Sequence, residues 1–492
     1  MPRLSCRPWL LLLCLISLPA AAATYNVGPG QPLANIGQVP WATLGPGDEV
    51  RIHWRATPYR EKWVLNRRGT AAQPIIVRGI AGPAGELPVV SGENATTPDP
   101  LEYWNDERGV LKIGGSNVPA DGLPGYLVIE GLEFRSARPP YTFTDDGGTT
   151  RTYANNAAGI YVEKAEHLTI RGCKFTDAGN GLFIGVFDGA TQDILLEGNY
   201  FVGNGIVGSG FEHNTYTAAL GIVYQGNRFG PLAAGAGGNN LKDRSAGLVV
   251  RYNWIEGGNR QLDLVDGEDS MTVVNDPRYH QTFVYGNVLI EPDGAGNSQI
   301  VHYGGDSGDT SIYRKGKLHF FHNTLVSTRS GNTTLLRLST DDETADVRNN
   351  ILYVTAAGNR LAMVDADGVL DLSHNWAKSG WVASHSGLSG VIHDDGTWVL
   401  GSSPGFVNEG GQDFHLAAGS TALDGATVQH PDTLPVHELI RQYLPHQAIE
   451  GRAPENGADI GAFERCVAAG CGLIFADGFE SGGTSAWSAV VP

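Results

Sequence analysis

"GLVVRYNWIEGGNRQLDLV" (Gly247–Val265) holds two kinds of pattern side by side. An apolar run is closed by Tyr252 and Asn253, a large apolar pair follows, a Gly-Gly-Asn turn intervenes, and Leu262-Asp263-Leu264 then alternates apolar and charged. Alternation of period two marks a strand with one buried face. The first half recurs along the chain as "LLEGNYF" (Asn199), "VYQGNRF" (Asn227), "FVYGNVL" (Asn287), "HFFHNTL" (Asn323), "VRNNIL" (Asn350) and "LSHNW" (Asn375). "VIEGLEF" at Leu132 and "TIRGCKF" at Cys173 are earlier variants, and from Cys173 onward the motif returns every 25 to 36 residues.

That spacing is too long for a ladder of hairpins, and no helical periodicity fills the gaps. Short runs such as "GLFIGV", "NLKDR", "SQIVHY" and "TLLRL" fill them, separated by Gly, Asn and Asp. One coil of two or three strands per ~25 residues, stacked at about 4.8 Å, describes a single-stranded parallel β-helix. An Asn at the same corner of successive coils can bond up and down the stack, satisfying turn groups that no regular sheet covers. An all-β sandwich accounts for the strands but leaves the fixed Asn unexplained.

The ends of such a stack need covers. "QPLANIGQVPWATLGPGDEVRIH" (31–53) reads as an N-terminal cap, and "FHLAAGSTALDGA" with "DIGAFE" as irregular C-terminal rungs, with a short helix around Pro435–Tyr443. Before them, "MPRLSCRPWLLLLCLISLPAAAATYNV" pairs a basic start with an apolar stretch and an alanine run, the pattern of an export leader over residues 1–23. No later segment is long and apolar enough to suggest a membrane span. The expected organisation is therefore a leader, a solenoid over 24–465, and a Gly/Ser-rich tail over 466–492 in which Cys466 and Cys471 can pair. Cys173 reads as a small buried side chain. Export implies an extracellular or periplasmic protein, read here as a monomer.

Lys and Arg number 34 against 52 Asp and Glu, a net charge of −18. This excess argues against nucleic acid or an anionic membrane as the main partner. An anionic ligand would need a local positive patch or a bound cation. Charge is concentrated around Lys242, Asp243, Arg244, Asp263 and Asp266, within strands that are otherwise apolar.

"LGPGDEVRIHWRATPYREKWVLNRRGTAAQPIIVRG" (44–79) resembles the opening of secreted right-handed β-helix polysaccharide lyases of the alginate lyase and chondroitinase B type, and the closing rungs resemble those of many secreted β-helix proteins. In that lyase family a Lys strand precedes an "R-Y-N-T-F"-like motif, and the next coil carries an Arg-His pair. Lys242 precedes "VVRYNWI" in the matching place, whereas Val265 and Asp266 stand where the pair would be. The resemblance implies a right-handed solenoid that cleaves a polysaccharide with Lys242 taking a proton; Arg244 or Arg260 is then the candidate for the Arg's part.

With Leu241, Leu262 and Leu264 inward, alternation sends Lys242, Arg244, Asp263 and Val265 outward, with Lys242 and Asp263 on adjacent coils. The same counting places Phe211, His213 and Thr215 inward and Glu212, Asn214 and Tyr216 outward. One coil later it exposes Gln299, Val301 and Tyr303. Such a strip suits an extended anionic sugar chain. Elimination from a uronate needs its carboxylate neutralised and a base for the adjacent proton. Lys242 is the expected base, its pKa lowered by Arg244 and burial; Arg244 neutralises the carboxylate, and Tyr216 or His213 protonates the leaving oxygen. Asn214, Asp263, Arg260, Gln299 and Tyr303 are the expected substrate contacts. A calcium ion on Glu212 and Asp263 is an incomplete but conceivable ligand set. Lys242–Asp263 can equally be a cross-coil ion pair, and "VVNDPRYHQ" an exposed loop whose Arg278, Tyr279 and His280 border the strip. A glycoside hydrolase using Glu212, Asp243, Asp263 or Asp266, and a binding protein without catalysis, are the competing functions.

Overall fold

The computed structural model describes residues 22–454 and 456–465. The tail with its Cys466–Cys471 pairing, and all but the end of the leader, lie outside them. Three long parallel sheets of 13, 10 and 11 strands make up the solenoid, each complete coil giving one strand to each sheet and the end coils fewer. One coil runs Leu220–Gln225 in the first sheet, Arg228–Phe229 in the third and Leu241–Asp243 in the second. The next runs Ala246–Arg251, Trp254–Glu256 and Leu262–Leu264 in the same order. This is an all-β parallel β-helix, as the repeat predicts.

The corner between the first and third sheets explains the motif. The residue before each Asn lies in the left-handed region: Gly198, Gly226, Tyr252, Gly286, His322, Asn349 and His374 all have φ between 49° and 65°. Glycine adopts this freely and Asn or His at modest cost, which accounts for the mixture at that position. The Asn that follows is fully buried at every coil from Asn199 to Asn375. Its Oδ1 accepts the main-chain N–H and the Nδ2–H of the motif Asn one coil before, at 2.8 to 3.1 Å throughout. Its own Nδ2 also donates to a carbonyl of the preceding coil, as Asn287 does to Val250 O at 3.0 Å. Cys173, buried and free, begins the series with its N–H on Asn199 Oδ1.

Inside, like residues stack on like. Phe134, Phe175, Phe201 and Phe229 form a column with centroids 4.9 to 5.8 Å apart. Ile255, Leu289, Leu325 and Leu352 continue it in register. The N-terminal cap closes the stack with Trp41, whose ring lies 5.1 Å from Trp63.

At the other end, residues 406–465 turn back along the outside. Phe414 and Tyr443 cover Trp254 on the third sheet, and His437 stacks on Phe283 of the first sheet at 3.7 Å. The helix expected around Pro435–Tyr443 is absent: a 3-10 turn at Pro431–Thr433 leads into an antiparallel hairpin, Arg441–Leu444 with Ala448–Gly451. Packing of this strap on the sheet face overrides the local helical pattern. Among the described residues no helix is long and apolar enough to cross a membrane.

Replacing one ladder amide should be felt by its neighbours. Asn287→Ala takes the acceptor from the buried Asn253 N–H and a donor from the Val250 carbonyl, while the Asn253 amide keeps the Tyr224 and Arg251 carbonyls, so a loss of about 2 kcal/mol is expected. The urea midpoint should fall accordingly, while exposed Asn156→Ala stays within about 0.5 kcal/mol of the parent. Equal midpoints for the two variants would show that the ladder contributes no stability.

Candidate functional site

Register in the second sheet aligns one outward column across the coils: Tyr161, Phe183, Tyr216, Lys242, Asp263, His302 and Arg337. Its upper half is aromatic, with Phe183 and Tyr216 stacked at 5.3 Å. Its lower half is charged. Leu241, Leu262 and Leu264 point inward as expected, and Lys242 and Asp263 are direct partners on adjacent coils.

Two inserted loops rise beside this column and enclose a cavity of about 610 Å³. Lys242, Arg244, Asp263, His213, Tyr216 and Arg260, all expected at the site, line it. His302, Asp306, Glu268 and Arg337 line it too, and sequence reading had not assigned them roles. Asp306 comes from the turn after Gln299–Tyr303, where no alternation shows which way a side chain faces. His302 was discoverable: it is the polar residue of "QIVHY", and treating it as outward gives the observed register.

The remaining expectations need correction. Tyr303 is fully buried in the solenoid core with Ile300 and Val301, because Leu264 rather than Asp263 is its register partner. Asn214 is also fully buried, where it links Asn204 and Asn240 in a second asparagine stack. It therefore faces the corner of the coil. Phe211 is 84% exposed at the cavity rim, and His213 turns toward the cavity. Gln299 lies behind the lining, accepting from Arg260 Nη2 at 2.8 Å. Arg278, Tyr279 and His280 occupy a 3-10 turn outside the cavity lining. There Tyr279 braces the loops, accepting from Gly267 N–H and donating to Ile312 O. Glu212 is outside the lining, and Asp263 is engaged by Asn239, His302 and Lys242.

The polar contacts form one network. Lys242 Nζ lies 3.3 Å from Asp263 Oδ2 and bonds Asp306 Oδ2. Arg244 donates from Nε to Tyr216 Oη at 2.7 Å, from Nη1 to Asp266 Oδ1 at 2.9 Å, and from Nη2 to Asp306 Oδ1 at 2.8 Å. Glu268 Oε1 is 2.6 Å from the same Nη2. His302 places Nδ1 on Asp263 Oδ1 and Nε2 on Ser339 Oγ. Arg260 and Arg337 take part in no ion pair among the described residues. An acidic chain thus carries a pocket that offers two guanidinium groups without carboxylate partners.

Below the pocket, Asp243 points into the solenoid, in register with Leu264. Thr217 and Ser245 hydroxyls and the Ser245 N–H satisfy it. Arg314, fully buried, reaches in from the Asp306-bearing loop to the carbonyls of Val265 and Ser245. This inclusion ties the loop to the strand that carries Arg244.

These contacts set the protonation states. Burial by itself depresses the Lys242 pKa, but Asp263 and Asp306 outweigh it and the value is raised. This reverses the expectation that Arg244 would lower it. Burial works to raise Asp263, yet the His302 bond and the Lys242 charge hold it well below the usual carboxylate range. Burial and then Lys242 push His213 down to about 3. Its Nδ1 accepts the Asn239 N–H at 2.8 Å, so the neutral ring carries its proton on Nε2. Burial raises Tyr216, against the opposing pull of Arg244, and raises Glu268.

With the geometry in hand, likeness to solved structures can be stated. Pectate lyase Pel9A shares the fold at 13% identity, with a TM-score of 0.50 over 90% of this chain and 96% of that one. The alginate lyase from Paenibacillus sp. str. FPU-7 aligns at 15% identity over 72% of this chain and 99% of that one, TM-score 0.45. The GH136 lacto-N-biosidase from Eubacterium ramulus aligns at 13% identity over 77% and 68%, TM-score 0.42. The sequence matches no family profile and no curated protein. The likeness to β-helix polysaccharide lyases is therefore distant and one of fold.

Asp263 yields a pH signature. Its folded pKa lies below the unfolded value of about 3.9, so its ionised form stabilises the protein above that pH, and the contribution is lost as pH falls through the folded value. The gap in thermal midpoint between the parent and Asp263→Asn should be wide at neutral pH and narrow below about pH 4. A gap that stays constant down to pH 3 would sink the assignment.

Proposed function

We propose that this protein is a polysaccharide lyase acting on a uronate-containing chain by β-elimination. One observation carries the reading: Lys242 and Arg244 converge on a single carboxylate, that of Asp306. A guanidinium that neutralises a uronate carboxylate, with an amine beside it to take the proton from the carbon so acidified, is what elimination needs. Arg260 and Arg337, without ion pairs among the described residues, extend the positive surface for further acidic sugars. Likeness in fold to a pectate lyase and the elongated column of the second sheet agree with a chain-like substrate.

In this reading the substrate carboxylate replaces Asp306 on Arg244, and Asp306 swings out with its turn between Gly304 and Gly308. Departure of Asp306 removes one of the two carboxylates that keep Lys242 charged, and its pKa drops toward the range of a base. Neutral Lys242 takes the proton. Tyr216, polarised by the Arg244 Nε–H, returns one to the leaving oxygen, and His213 Nε2–H donates a hydrogen bond beside it. Asp263, held by His302 and Asn239, keeps the Lys242 chain in place. A calcium requirement would appear as loss of turnover in chelator.

A glycoside hydrolase remains the second reading, because Glu268 is raised and Asp306 lowered in one cavity, the split an acid and base pair needs. The products distinguish them: elimination leaves an unsaturated sugar with ultraviolet absorbance, and hydrolysis does not.

Two variants test the lyase reading on a panel of acidic polysaccharides. Lys242→Gln should lower turnover about a thousandfold. It should also lower the thermal midpoint, because it leaves Asp263 and Asp306 without their buried ammonium partner. Asp306→Asn should lower KM for uronate oligomers by releasing both cations. Turnover of a uronate polymer with no unsaturated product, or near-parental turnover in Lys242→Gln, would defeat the assignment.

A further inference from the structure

A second cluster lies on the outside of the first sheet, away from the cavity. His319 belongs to the strand Lys317–Phe321, whose Leu318 and Phe320 fill the core, so its ring faces out beneath the C-terminal strap. It is fully buried there, and neither ring nitrogen has a hydrogen-bond partner. A buried imidazole with both nitrogens unmatched is costly unless something else engages one of them. Phe283 lies parallel to it at 5.1 Å, and His437 stacks on Phe283, so the ring is held in orientation by packing alone.

The strap supplies the complement. His430 caps the 3-10 turn Pro431–Thr433, Asp432 lies within it, and the His430 ring is 5.0 Å from His319. One ligand-capable atom from each of His319, His430 and Asp432 falls within 4.8 Å of the others. Asp346, in register with His319 on the next coil, is engaged by Arg348 and stays out of the group. His430 Nδ1 accepts only a long 3.2 Å contact from the Asp432 N–H, a bond an ion there would readily replace.

We propose that His319, His430 and Asp432 bind a divalent transition-metal ion, zinc by ligand type, which clamps the C-terminal strap to the solenoid. Two imidazoles and a carboxylate suit zinc, with a water as fourth ligand, and suit calcium poorly, which prefers oxygen alone. Bonds of about 2.0–2.2 Å need only a small closing of the three groups. The ion joins a sheet strand to a turn more than a hundred residues later, adding a bond to chain that ring packing and the Thr427–Asn349 hydrogen bonds hold. This site is independent of the chemistry in the cavity.

The test uses the full chain without a histidine tag, stripped with chelator and titrated with zinc sulfate. About one zinc per chain is expected, with a thermal midpoint several degrees higher in the metal's presence. His430→Ala and Asp432→Asn, at strap positions, should each weaken zinc binding at least tenfold and remove the thermal shift, while His393→Ala keeps both. Cobalt substitution should give the intense visible bands of a four-coordinate site. Zinc uptake that is the same in parent and strap variants, or no uptake by the parent, overturns the proposal.

Discussion

A buried amide at one corner of every coil governs this molecule. Each corner Asn takes up two donors from the coil before and returns a hydrogen to a carbonyl there, so its neighbours above and below fix its height and rotation. Register is thereby set at a single point per turn, and sheet hydrogen bonds propagate it around the coil. Side chains then fall into columns. Aromatic and aliphatic stacks fill the interior, and the outward column of the second sheet places Tyr216, Lys242, Asp263 and His302 at successive levels. The second asparagine stack, Asn204–Asn214–Asn240, anchors the same coils at another corner, immediately before the strands that carry the charged column.

On that frame the cavity is an exercise in compensated charge. Lys242, Asp263 and Asp266 are removed from water around Arg244, Asp306 and Glu268 sit at the opening, and every one has a partner of opposite sign. Burial alone works against charge on Lys242 and Asp263; their pairing favours the ionised forms. Asp306 is the least enclosed of the carboxylates closest to Lys242, and it sits on a turn with glycines on both sides. Exchange of that carboxylate for one belonging to a ligand on Arg244 would keep the guanidinium paired and leave Lys242 to Asp263 alone.

The repeat could be read in advance because its cause is local and periodic. The left-handed residue, the Asn and the apolar pair recur within a few positions, and their spacing reports the coil. Lys242 and Asp263 were readable for the same reason, as outward members of short alternating strands. Reading failed where periodicity stops. Asp306 and Arg314 belong to a turn whose fold-back depends on distant partners. Tyr303 was placed one residue out of phase because Ile300 and Val301 both enter the core, a break in alternation that only the stacked neighbours dictate. The raised pKa of Lys242 comes from Asp263 and then Asp306, and the second of these lies on the turn that alternation does not reach.

Coil length varies along the solenoid. The asparagines of most successive coils are 25 to 28 residues apart, but those from Asn253 to Asn287 and from Asn287 to Asn323 are 34 and 36 apart. The surplus forms the two walls that turn a flat stripe into a container. Because the corner amides absorb no part of it, wall height is free to vary while the floor beneath stays put. A lineage building on this scaffold can reshape what it admits by lengthening or trimming two turns, leaving the reactive floor untouched.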